Sequence, residues 1–75
     1  MKFNENDLLD SLVDVFDKDV DEMNIDDIFK EYDEWDSVAA LSLVASIEDN
    51  FEIIISGDDI DSFSTIRDIL NFINK

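Results

Sequence analysis

A chain of 75 residues carrying 21 acids, 5 bases and a net charge of −16 reads as one small, strongly anionic domain. That charge repels nucleic acid and anionic bilayers, draws basic partners, and imposes a self-repulsion that salt or divalent cations relieve. With neither cysteine nor histidine the sequence excludes a disulfide framework, the usual zinc sites and the usual acid–base catalyst, while 45% hydrophobic residues at regular spacing exclude a disordered chain.

The opening segment, MKFNENDLLDSLVDVF, is acidic and broken by charges. It fits neither a secretory leader nor a membrane span, so a cytoplasmic protein is expected. Leu8, Leu9, Leu12, Val13 and Phe16 repeat at three and four residues and predict a first amphipathic helix over about residues 5–17, with Asn4 as its cap and Asp7 in its first turn. Residues 17–36 follow as a long acidic loop, pinned to the core by Ile28 and Phe29. A second helix is expected over about 37–50, with Leu41, Val44, Ile47 and Phe51 facing in and Ala39, Ser42, Ala45 and Ser46 facing out.

The stretch FEIIISGDD has the β-branched content of a strand, but no other segment offers it a partner, and a lone strand is unstable. Gly57, the sole glycine, marks a turn, and Ile60 and Phe63 suit a brief third helix near 58–63. Thr65 followed by Asp68 has the form of a capping box and opens a last helix with Ile66, Ile69, Leu70 and Ile73 inward. The expected fold is all-α: a single domain over residues 1–75, a small four-helix bundle with a short third helix and a long loop between helices one and two.

Three features bear on chemistry. Ser37 follows Asp36 at the mouth of the second helix. As a self-sufficient nucleophile it lacks a neighbouring base, and as an isolated pair Asp36-Ser37 has the plain reading of a helix cap. Asp17, Asp19 and Asp21 occupy the first, third and fifth positions of a calcium-loop pattern, but the sixth is Glu22 rather than glycine and the twelfth is Ile28 rather than glutamate. That excludes an EF-hand and leaves loose divalent binding at the 17–27 and 58–61 clusters; no built metal site is expected. An acidic interaction protein, whether a nucleic-acid mimic or a divalent-ion buffer without a prosthetic group, stays open as an alternative on charge alone.

From FKEYDEWDS to the end the sequence resembles the acyl carrier protein family. The family's Asp-Ser-Leu at the start of the second helix reads Asp36-Ser37-Val38 here, and Thr65, Asp68 and Ile73 fall where such proteins carry Thr, Asp and a terminal aliphatic residue. The acidic helix and loop before Phe29 match in length and character, which extends the resemblance over essentially the whole chain. The resemblance implies that Ser37 is a substrate rather than a catalyst. A phosphopantetheinyl transferase would attach 4′-phosphopantetheine from coenzyme A to its hydroxyl, with Asp36 and Val38 beside it. Acyl or aminoacyl cargo would then be held as a thioester, loaded by a ligase and passed to pathway synthases or transferases by a monomeric carrier with no catalytic activity. An anion at a helix N-terminus is favoured by the dipole and the free amides.

Two departures stand out. Val38 replaces the usual leucine, and Asp33, Glu34 and Trp35 stand where leucine and glycine often precede the motif. Trp35 reads as a packing residue, and an aromatic before Asp-Ser is more similar to freestanding carriers of specialised pathways. The second helix of fatty-acid carriers is studded with acids, whereas none lies between Asp36 and Glu48 here. The expectation is a dedicated partner meeting a small neutral patch that includes Ala39 and Ser42, with charge contacts at Asp36, Glu48 and Asp49.

Overall fold

A computed structural model describes residues 2–75. The order is α1 (Glu5–Phe16), two short 3₁₀ turns (Val20–Glu22 and Phe29–Glu31), α2 (Ser37–Phe51), α3 (Gly57–Ser62) and α4 (Ile66–Ile73). No strand occurs among the described residues: within FEIIISGDD, residues 52–56 form an irregular connection between the end of α2 and the start of α3, as the lack of a partner requires. The domain measures 29 × 26 × 20 Å.

Local chemistry sets the helix boundaries. Asn4 Oδ1 accepts from the Asp7 amide at 2.8 Å while Asp7 Oδ2 accepts from the Asn4 amide at 3.0 Å, satisfying two donors that a helix start leaves free. Ser56 with Asp59 and Thr65 with Asp68 repeat the arrangement at α3 and α4. At their C-terminal ends α1 and α2 stop on residues in the left-handed region, Asp17 (φ 53°) and Glu52 (φ 57°), without glycine. Gly57 is the first residue of α3 rather than a turn residue, and its backbone is not left-handed.

The core is one apolar cluster. Leu8, Leu12 and Phe16 from α1, Leu43 and Ile47 from α2, Ile55 after it, and Ile66, Ile69 and Leu70 from α4 are sealed from solvent. In α1 it is Val15, not Val13, that is buried; Val13 packs at the margin. α3 contributes Ile60, followed by Phe63.

The long connection is anchored by Met23, Ile25 and Phe29, and the expectation for Ile28 is overturned: it is 46% exposed. Ile28 has extended backbone before the second 3₁₀ turn, and in such backbone neighbouring side chains point to opposite sides, so burying Phe29 turns Ile28 outward. The same loop completes the start of α4. The Ile66 amide donates to the Asp27 carbonyl at 3.1 Å and the Arg67 amide to the Ile25 carbonyl at 2.7 Å. Arg67, the sole arginine, adds a 2.7 Å bond from Nε to Asp26 and lies 3.7 Å from Glu5 of α1. That guanidinium holds the Asp26 carboxyl below the usual carboxylate range. At the other end Asn74 ties the termini together, accepting from the Phe3 amide at 2.8 Å and donating to its carbonyl at 3.0 Å.

Candidate functional site

The loop reaches α2 over an aromatic platform. Trp35 packs edge-on against Phe29 at 5.1 Å, Phe16 lies edge-on to Tyr32 at 5.2 Å, and Phe16 and Trp35 are 6.1 Å apart. Trp35 is thus the packing residue its position predicts. The Tyr32 hydroxyl donates to Asp27 Oδ2 at 2.6 Å, and burial, reinforced by that carboxylate, pushes its phenol above the ordinary range. Lys18, just past α1, sits 3.4 Å from Glu34. These contacts hold residues 32–35 and so fix where Asp36 and Ser37 emerge.

Asp36 has extended backbone and caps α2: its side chain accepts from the Ala39 amide at 2.7 Å and its carbonyl from the Ala40 amide at 3.0 Å. Ser37 is the first helical residue and is exposed. Helix geometry leaves the amides of Ser37 and Val38 without intrahelical acceptors. α1, α3 and α4 each place an acid at the third helical position to close a capping box; α2 has Ala39 there and no acid in its first turn. The mouth of α2 therefore combines an exposed hydroxyl, two free amides and the positive end of the dipole, with one carboxylate committed to the cap. That arrangement fits a phosphodiester carried on the serine.

Asp36, Ser37 and Val38 are brought together at this mouth, and Glu48 and Asp49 are exposed near the far end of α2. The phase expected for the helix between them holds at Val44, Ile47 and Phe51, which pack inward, and at Ala45, which is exposed, but is overturned in the first turns. Ala39 is 4% exposed and faces the core with Leu43, Ile47 and Phe51, whereas Leu41 is 72% exposed. Ser42 is only half-buried, and Ser46 turns toward α1, its hydroxyl donating to the Ser11 carbonyl at 2.8 Å. The reason is that α2 packs on α1 with Ser46 bonded to Ser11 and with Ala39, Leu43, Ile47 and Phe51 buried, which leaves Leu41 and Val38 on the open side. Ala39 is consequently no candidate for partner contact. The four-residue spacing Ala39–Leu43–Ile47–Phe51 is the signal that would have found the true inner face.

The acids of the calcium-like pattern have separate local roles. Asp17 ends α1 in the left-handed region, and the Asp19 amide donates to Glu22 in the first 3₁₀ turn. Among the described residues no group of three or more carboxylates is placed to hold a metal ion, and no helix is long and apolar enough to cross a membrane.

Comparison with known proteins gives two findings. Residues 6–73 match the family described as "Phosphopantetheine attachment site". An acyl carrier protein of Exiguobacterium sibiricum is 30% identical over 67 residues, which cover 89% of this chain and 85% of that protein.

Proposed function

Because the chain belongs to the acyl carrier protein family and bears that family's 4′-phosphopantetheine group, we propose that the group is joined to Ser37 and that acyl or aminoacyl intermediates travel on it as thioesters. The chain is a carrier and not an enzyme. Membership of the family also replaces the alternative of an acidic mimic or ion buffer without a prosthetic group.

The observation that carries the assignment is the exposed Ser37 at the mouth of α2, where Asp36 fixes the first turn and no further acid opposes an anion. The Ser37 oxygen attacks the pantetheine-side phosphorus of the coenzyme A pyrophosphate, the P–O bond to the nucleotide breaks and 3′,5′-ADP leaves, while a phosphopantetheinyl transferase supplies the base that takes the serine proton. The bound group contributes a terminal thiol, the one sulfur nucleophile in a cysteine-free protein. The chain's own residues keep the serine accessible, hold the turn rigid on the aromatic platform and donate amides to the phosphate. A loading ligase and pathway synthases or transferases complete the set of partners, and the chain acts as a monomer because copies bearing −16 each repel one another.

The test is intact mass after incubation with coenzyme A, magnesium and a broad-specificity transferase. Wild type should gain one phosphopantetheinyl group and Ser37→Ala none, with unchanged helicity. A gain that persists in Ser37→Ala would overturn the assignment.

A further inference from the structure

Trp35 is the sole tryptophan, stands two residues before Ser37 and is only half-buried. Its packing against Phe29 and Phe16 occupies part of the ring and leaves the rest in solvent. Its polar atom is unused as well, since Nε1 bonds to none of the described residues. Among them the one buried side-chain polar atom without a hydrogen-bond partner is Oε1 of Glu34, so the indole N–H meets solvent. Tyr32, on the same platform, behaves differently: its hydroxyl donates to Asp27 Oδ2 and is taken up by the fold.

The backbone sets the free part of the indole beside the serine. Asp36, between the two, is extended (φ −155°, ψ −173°), and in such backbone side chains two residues apart leave the chain on the same side. The Cα atoms of Trp35 and Ser37 are then within about 7 Å of each other. A group joined to the exposed Ser37 hydroxyl therefore begins next to the ring. In 4′-phosphopantetheine the phosphate is followed by a carbon bearing two methyl groups, then by a hydroxyl and an amide carbonyl, all uncharged. Asp33 and Asp36, exposed on either side of Trp35, repel any further anion and favour this neutral stretch. Resting on the attachment of the arm to Ser37, we propose that Trp35 binds the root of that arm: its ring covers the paired methyl groups, and Nε1–H donates to the hydroxyl or carbonyl beyond them. An aromatic side chain with one polar atom suits a group that is apolar at one point and hydrogen-bonding at the next. The cargo is the wrong occupant, because it is carried on the thiol at the far end. Held in this way, the root lies over the loop while the thiol end stays free to reach an enzyme.

The experiment compares isotope-labelled protein before and after treatment with coenzyme A and a broad-specificity transferase, the gain of one phosphopantetheinyl group being confirmed by intact mass. The single tryptophan gives one indole N–H signal in the nuclear magnetic resonance spectrum, and it should shift on modification. Nuclear Overhauser contacts should join the indole protons to the two methyl groups of the arm. Those methyl signals should stand upfield of their positions in free coenzyme A and return toward them in Trp35→Leu, which keeps an apolar side chain against Phe29 and Phe16. Acrylamide quenching of Trp35 fluorescence should fall by about half, as expected when one face of a partly open ring is covered. Where circular dichroism shows that Trp35→Leu does not fold, the wild-type contacts decide. Methyl contacts to Val38 or Leu41 in place of the indole, methyl signals still shifted in folded Trp35→Leu, or an indole signal unmoved in protein that has gained the mass would each overturn the role of Trp35 and leave Ser37 modification standing. A fall in quenching without methyl contacts would overturn it too, since tightening of the loop alone produces that. Protein that gains no mass, or gains it equally in Ser37→Ala, would overturn the attachment and this inference together.

Discussion

Phe29 is the residue on which the aromatic platform beneath Ser37 depends. Its ring is sealed from solvent, lies 5.1 Å from Trp35 and 6.1 Å from Phe16, and is the one fully buried side chain in residues 17–36. An aromatic side chain buries about 150 Å² or more, which at about 25 cal/mol per Å² corresponds to about 4 kcal/mol, and measured Phe→Ala losses of about 3–5 kcal/mol agree. A domain of this size has about 4–11 kcal/mol of total stability at the usual per-residue value. Phe29→Ala should therefore consume a large fraction of it and free Trp35 into solvent. Ile28→Ala, at a neighbouring and equally hydrophobic position that is half in solvent, should cost about 1 kcal/mol or less. Urea unfolding followed by circular dichroism and by the fluorescence of Trp35 reads both effects. If Phe29→Ala costs less than Ile28→Ala, the loop is docked the other way round, and the account of how Ser37 is positioned fails with it.

Ala39→Glu places a carboxylate at a site 4% exposed and should destabilise by about 3 kcal/mol or more, whereas Leu41→Glu, on the open side, should melt close to wild type; the reverse order in thermal melts would contradict the observed phase of α2. The Asp68 carboxyl is held below its ordinary value of 3.8 by the amides of Thr65 and Ser64, so the stability it lends is full above that value and is lost as pH falls below it toward the folded value. Asp68→Asn should therefore narrow the wild-type advantage as pH falls below 3.8, and a stability difference between the two that stays constant from pH 6 down to about 2 would refute this. With 21 acids on a surface this small, the melting temperature should rise with sodium chloride and with millimolar magnesium; indifference to both would show that self-repulsion is not a limiting cost.

What the sequence discloses here is what short-range chemistry decides. The caps at Asn4, Asp36 and Thr65 depend on residues within a turn of each other, and each helix begins within a residue of its expected start. The inward face of α4 is legible for the same reason, since Ile66, Ile69, Leu70 and Ile73 recur at three and four residues. α2 offers no polar contrast between Ser37 and Ile47, so the spacing of Ala39, Leu43, Ile47 and Phe51 competes with that of Leu41, Val44, Ile47 and Phe51, and tertiary contacts to α1 such as Ser46 to Ser11 favour the first. The same holds for Ile28 and Phe29, two adjacent apolar residues of which one must point out. It holds too for the reach of Arg67 to Asp26, 41 residues away, and of its amide to Ile25, which turns a long acidic connection into a fixed support for the site.

The central claim is the identity of the modified atom, and site-resolved mass spectrometry of the transferase-treated protein addresses it most directly. Cleavage after Lys30 and Arg67 yields a peptide of residues 31–67 that contains six of the seven serines, so the fragmentation pattern, not the peptide mass, makes the decision. Fragments retaining Ser37 should all carry the phosphopantetheinyl group, and C-terminal fragments beginning at Val38 or later should carry none. A group retained on fragments that contain Ser42, Ser46, Ser56, Ser62 or Ser64 but lack Ser37 would contradict the account.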